Sequence, residues 1–146
     1  MHDHNHECHF LNLKKEYSVA DLAAFHGHLG PFIVLGYRIG KYAKEQFCND
    51  PFELSASVYC AGKPPESCIV DGVQLGSGCT LGKRNIGIVE SPEIRCVFTT
   101  QGKTLTVTPK PETRMKTSGH SESAVEKFAE ELYNWPDDQL FSCTLR

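Results

Sequence analysis

Apolar positions recur at helical spacing in four stretches of the chain and at strand-like spacing in four others. Ser18 suits an N-cap with Asp21 in the capping-box position, so a short helix is predicted from Val19 to about Phe25, burying Leu22 and Phe25. Pro31 to Phe47 gives the longest helix, with Phe32, Leu35, Ile39, Tyr42, Ala43 and Phe47 tracing one apolar stripe. Gly36 and Gly40 lie four apart on another line of that helix. They cost helix propensity and so predict a close neighbour, either another helix or a dimer partner. A last helix from Ser121 to Tyr133 buries Ala124, Val125, Phe128, Ala129 and Leu132 and stops at Trp135-Pro136-Asp137-Asp138.

Between these helices the period changes. Glu53 to Cys60 alternates, with Leu54, Ala56, Val58 and Cys60 on one face, after turn chemistry at Asn49-Asp50-Pro51. Asn85 to Glu90 reads as a buried strand. Ile94 to Thr100 and Lys103 to Thr108 read as a hairpin through Gln101-Gly102. Pro109, Pro111 and Ser118-Gly119 mark a loop.

The remaining helical stretch organises the chain: Pro64-Pro65-Glu66-Ser67-Cys68-Ile69-Val70-Asp71-Gly72-Val73-Gln74-Leu75-Gly76-Ser77-Gly78-Cys79-Thr80-Leu81-Gly82-Lys83. Its prolines can begin a helix, Ile69 and Val73 give apolar spacing, and Gly76 and Gly78 can end it. Cys68, Asp71 and Leu75 then share a face, and the Cys79–Thr80 loop can fold back over it. Two thiols, a carboxylate, an amide, a hydroxyl and an ammonium would meet in one region. An ordinary core helix does not carry so much polar chemistry.

A second concentration of chemistry is Phe25-His26-Gly27-His28-Leu29-Gly30-Pro31. With Gly27 turning the chain, His26 and His28 can converge, beside the free N–H groups that begin the Pro31 helix and suit an anion. Tyr37 and Arg38 can reach the same region, although helix packing explains them equally well.

Composition narrows the picture. At 146 residues, with 40% hydrophobic and 23% charged residues, the chain suits one soluble domain. A formal charge of -3 does not supply the basic face that general nucleic-acid binding needs. No run is long enough for a membrane span and no signal peptide is apparent, so the expected location is cytoplasmic, with no membrane partner. The seven cysteines lack a disulfide framework and a CxxC pair. Cys60 and Cys96 should pack on strands. Cys8, Cys48 and Cys143 carry no functional assignment. Residues 1–15 read as a flexible tail whose start, MHDHNHECH, is either a solvated terminus or a metal-loading arm. Residues 16–146 form the domain.

FHGHLGPFIVLGYR (Phe25 to Arg38) followed by PPESCIVDGVQLGSGCTLGKRNI (Pro64 to Ile86) resembles the FmdE family, named for the molybdenum formylmethanofuran dehydrogenase operon. The resemblance implies an α+β domain with an antiparallel sheet backed by helices, a tight homodimer, and one-carbon metabolism of the kind used in methanogenesis. It further implies a pocket holding a divalent metal, zinc first, where the histidine motif meets the two cysteines. The matching positions are His26, His28, Cys68, Asp71, Gln74, Cys79, Thr80 and Lys83. Many family members carry cysteine where this chain has Gly30. Many also carry a C-terminal cysteine-rich zinc module, which is not seen up to Arg146.

Three chemistries follow. In a metal-dependent enzyme, Cys68 and Cys79 with His26 or His28 would be ligands, and Asp71 would orient a histidine or act as general base. Lys83, with Arg38, Gln74 and Thr80, would hold a small anionic or pterin-like ligand. In an accessory protein or carrier, the same pocket would serve a larger formylmethanofuran dehydrogenase complex. In thiol catalysis, Cys79 would be a nucleophile near Lys83. Against all three stands a structural role, with Cys68 a small buried hydrophobe and Cys79 a loop thiol.

Overall fold

The computed structural model describes residues 10, 13, 16–114 and 119–146. The histidine-rich start of the tail lies outside the described residues. Helices α1 (Val19–His26), α2 (Pro31–Gln46), α3 (Ile69–Ser77), α4 (Glu122–Asn134) and α5 (Asp137–Leu140) accompany five strands. These are β1 (Ser55–Cys60), β2 (Ile86–Glu90), β3 (Arg95–Thr100), β4 (Lys103–Pro109) and β5 (Phe141–Leu145). They form one sheet in the order β2-β1-β3-β4-β5.

The sheet is mixed, which corrects the expectation of a purely antiparallel one. β1 and β2 run parallel, while β1–β3, β3–β4 and β4–β5 are antiparallel. The reason is local: α3 lies between β1 and β2, and a helical crossover returns the chain in the same direction. Along β1, β3 and β4 burial alternates, with Val58, Cys60, Cys96, Phe98, Leu105 and Val107 inside. The helices cover that face. The hairpin forms as expected, with Gln101 and Gly102 both at positive φ (47° and 77°), the paired left-handed conformation of a type I′ turn.

α2 is the central helix. Ile33, Val34, Leu35, Tyr37, Ile39 and Ala43 are all buried, so burial extends beyond the predicted stripe, whose Phe32, Tyr42 and Phe47 are only half-buried. The glycine line of α2 meets α3 of the same chain. A Cβ on Gly36 would stand 2.0 Å from the Ile69 carbonyl oxygen, and one on Gly72 would stand 2.0 Å from that of Ile33. Gly40 and Gly76 repeat the contact one turn on, at 2.7 Å from Val73 O and 2.3 Å from Tyr37 O. Four glycines thus bring two helix backbones together, and the neighbour predicted by Gly36 and Gly40 is α3.

Three expectations are corrected. Asn85 to Glu90 was expected to be buried, but β2 is an outer strand, and only Ile86 of it is buried. An unbroken apolar run ordinarily marks a strand covered on both faces, whereas here the edge position of β2 leaves Ile88 and Val89 exposed. Phe25 is 56% exposed because α1 turns only Leu22 fully inward. α3 begins at Ile69, after a 3₁₀ turn over Glu66–Cys68, so the two prolines precede that turn and not the helix itself. No single helix among the described residues is long and apolar enough to cross a membrane. α1 and α2 reach that length and apolar composition only together, and the chain bends by 115° between them.

Candidate functional site

The site is built at the elbow between α1 and α2, against the first turn of α3. Ser18 caps α1 through a reciprocal box with Asp21. At its other end Gly27 takes φ 101°, a left-handed cap that lets the chain turn at once into Gly30-Pro31. His26 and His28 therefore sit on either side of a sharp bend. Their ring centroids lie 4.9 Å apart, the convergence that Gly27 was expected to allow.

The glycine seam fixes what faces them. α3 lies close enough for His26 Nδ1 to stand 2.6 Å from Asp71 Oδ2, with the two side chains 12% and 36% exposed. An ionised carboxylate only accepts, so Nδ1 carries the proton and donates it. In the neutral ring that leaves Nε2 as the nitrogen available to a ligand. His28 is exposed. A Cβ on Gly30 would lie 3.3 Å from His28 Cε1, so a side chain at that position would point at this ring.

Cys68 is half-buried at the start of α3, and its thiol is pushed above its ordinary pKa, first by desolvation and then by the Asp71 charge. Tyr17, Ala24, Phe25 and Leu75 wall a shallow groove of about 350 Å³, bounded also by Glu16 and Asp21. None of His26, His28, Cys68 or Asp71 lines it, and it adjoins them through Phe25, next in sequence to His26, and Leu75, one helical turn from Asp71.

The other expected site residues are placed elsewhere. Cys79 follows α3, and a nine-residue helix is roughly 14 Å long, so Cys68 and Cys79 stand at opposite ends of it. Cys79 is fully buried. Its N–H donates to Ser77 Oγ at 3.1 Å and its S–H to Leu54 O at 3.4 Å. Burial raises its pKa, against smaller opposing effects of the Ser77 hydroxyl and Lys83, so it does not have the character of an activated nucleophile. Gln74 Oε1 accepts from Leu81 N at 2.8 Å, Thr80 N donates to Asn85 Oδ1 at 2.9 Å, and Lys83 Nζ binds Gly78 O and Thr80 Oγ1. These groups close the α3–β2 loop upon itself.

Arg38 also serves the fold. Its guanidinium donates to Leu132 O (3.3 Å), Tyr133 O (2.7 Å) and Asp137 Oδ1 (2.9 Å), tying α2 to the carbonyl end of α4. Buried Tyr37 stacks on Tyr133 and accepts from Tyr17 N through its hydroxyl at 3.0 Å. The open cleft of about 440 Å³ over these residues is therefore lined by cations that already have partners, Lys41 included, 3.5 Å from Glu45.

Imidazole and thiolate are donors that zinc takes, and a carboxylate behind a histidine is the usual outer partner of such a ligand. In kind, then, His26, His28, Cys68 and Asp71 fit a divalent metal. In position, no three His, Cys, Asp or Glu side chains among the described residues converge as a ligand group. The sequence offered all four residues and Asp71 as the partner of a histidine; that the histidine is His26 has no local signal, since the contact spans 45 positions.

A 69-residue segment is 35% identical to a "Probable S-adenosyl-L-methionine-binding protein" of Archaeoglobus fulgidus, covering 42% of this chain and 18% of that relative. The chain thus spans less than a fifth of that relative's length. The family model described as "FmdE, Molybdenum formylmethanofuran dehydrogenase operon" matches residues 25–142, from the histidine elbow to β5, and the chain belongs to the FmdE family.

Proposed function

We propose that this chain is a metal- and ligand-binding protein of formylmethanofuran-linked one-carbon metabolism, acting at the α1–α2 elbow. The observation that carries this reading is the 2.6 Å contact between His26 and Asp71, which commits one ring nitrogen and leaves the other for a ligand. His26, through Nε2, would be the first ligand of a divalent metal, zinc first, with Asp71 orienting it from behind. His28 and Cys68, which do not converge with it as a ligand group in this structure, would have to close in for the metal to be held. Bound zinc would supply a Lewis-acidic position for an anionic or sulfur-bearing group. The apolar groove formed by Phe25 and Leu75 would take the rest of a small ligand, and desolvation there would strengthen the polar contacts.

A position facing His28 is occupied by cysteine in many family members, which supports a ligand role for that corner. The chain would work as a homodimer beside a dehydrogenase complex, as an accessory protein or carrier. The Archaeoglobus fulgidus relative adds a specific candidate, S-adenosyl-L-methionine, whose adenine and sulfonium suit an apolar groove bordered by Glu16 and Asp21.

Calorimetric titration tests the reading directly. Zinc, and separately S-adenosyl-L-methionine, is titrated into the full chain and into His26→Gln. Binding by the wild type that weakens about 10- to 100-fold in the variant supports the elbow as the site. Equal binding by both, or by neither, removes it.

A further inference from the structure

β2 is an outer strand, bonded to β1 along one side. The Asn85 carbonyl accepts from Ala56 N at 2.9 Å, and Ser91 N donates to Cys60 O at 2.8 Å. Backbone groups alternate sides along a strand, so Asn85, Gly87, Val89 and Ser91 bond inward to β1. The N–H and C=O groups of Ile86, Ile88 and Glu90 therefore point outward.

Sheet edges in soluble proteins are normally guarded by lysine, proline, a bulge or a covering segment. β2 has no lysine or proline between Ile86 and Glu90. Instead Ile88 is 47% and Val89 41% exposed, one on each face of the sheet, and a Cβ on Gly87 would meet nothing within 4 Å. Such an edge is a template for another strand.

The charges around β2 say which strand fits. Lys83 and Arg84 precede it, while Glu90 ends it and Glu93 follows. A second copy running antiparallel about a two-fold axis at Ile88 places the basic end of each strand against the acidic end of the other. Parallel pairing would place like charges together. The same antiparallel register matches the outward groups, Ile88 with Ile88 of the second copy and Ile86 with Glu90, for about six hydrogen bonds. Gly87 then stands opposite Val89 of the second copy and leaves room for its side chain. Charge, hydrogen bonding and side-chain size select one register.

We infer that β2 is the surface through which two copies of this chain associate, joining their sheets into one. The inference rests on the homodimer reading above and adds the surface and register to it.

Sedimentation equilibrium of the full chain over a concentration series tests it, with Ile88→Lys, Glu93→Arg and the double variant Glu93→Arg/Arg84→Glu alongside. Ile88→Lys sets two ammonium groups side by side on the axis and should weaken association about ten-fold or more. Glu93→Arg should weaken it a few-fold, and adding Arg84→Glu should restore it, since both charges are then exchanged. Glu93 and Arg84 are exposed, so this pair remains informative if Ile88→Lys fails to fold. A chain that stays monomeric at every concentration overturns the dimer itself. A dimer unmoved by all the variants overturns the β2 surface alone, and an open polymer overturns the two-fold register.

Discussion

His26 and Asp71, on different helices, are held with Nδ1 and Oδ2 2.6 Å apart by a seam of glycines that lies entirely behind them. Neither α1 nor α3 could set that distance alone. α2 carries the elbow at its start and Gly36 and Gly40 along its length, so the approach of α3 to α2 places Asp71 under His26. Packing and site are one arrangement.

The seam makes the first prediction. Gly36→Ala puts a methyl group 2.0 Å from a backbone carbonyl oxygen, which the helices can relieve only by moving apart. Overpacking typically costs about 1–3 kcal/mol, and so close a contact belongs at the upper end, a fall in melting temperature of about 6–12 °C for a chain of this size. Gly82→Ala, with nothing within 4 Å of the new Cβ, should leave the melting temperature within about 1 °C. Thermal unfolding followed by circular dichroism compares them.

The same glycines show how far the sequence could be read. Gly36 and Gly40 signalled a close neighbour because glycine is costly inside a long helix. Their counterparts Gly72 and Gly76 sit in a short helix, where glycine reads equally well as a stop signal, so the pairing of α2 with α3 was hidden. β5 was missed for a related reason: Phe141–Leu145 follows Trp135-Pro136-Asp137-Asp138 and has few apolar positions, and register with β4 makes it a strand. The site residues were legible as chemistry. Their grouping was legible in part: Asp71 was expected beside a histidine and meets His26, whereas helix length separates Cys68 from Cys79.

Arg38 separates a structural role from a binding one. Arg38→Met removes the donors to Leu132 O and Tyr133 O and the Asp137 pair, and should destabilise the fold by about 2 kcal/mol. Zinc affinity should not change, because Arg38 faces α4. Urea unfolding and the zinc titration, run on the same preparation, check both halves.

The buried thiols predict a loss of stability in alkali. Burial pushes Cys96 from an ordinary 9.0 up to about 12. The unfolded chain therefore gives up this proton first as pH rises. The stabilising difference is complete below about pH 9 and is lost progressively towards pH 12, at up to about 1.4 kcal/mol per pH unit for each such thiol. Cys96→Ala should be less stable at pH 7 but show a shallower decline between pH 9 and 11. Urea midpoints across that range decide the matter.

Cys68 gives the proposed metal site its own pH dependence. Its raised pKa keeps it a thiol at neutral pH, so a metal binding there must displace the proton. Zinc affinity should therefore rise with pH up to and beyond the ordinary thiol range, and this rise should be smaller in Cys68→Ala. Competition with a chromophoric chelator at pH 6.5, 7.5 and 8.5 measures the slope. Equal slopes in the two proteins would remove Cys68 from the ligand set.

The elbow, and not the histidine-rich tail, is the proposed binding site. The most direct measurement is the zinc content, by elemental analysis after loading and dialysis, of the chain shortened to residues 16–146, of its His26→Gln variant and of the full chain. The elbow predicts about one zinc per chain in the shortened protein and in the full chain, with most of it lost in His26→Gln. Zinc that is present in the full chain and absent from the shortened one, or that is indifferent to His26, would place the binding site elsewhere.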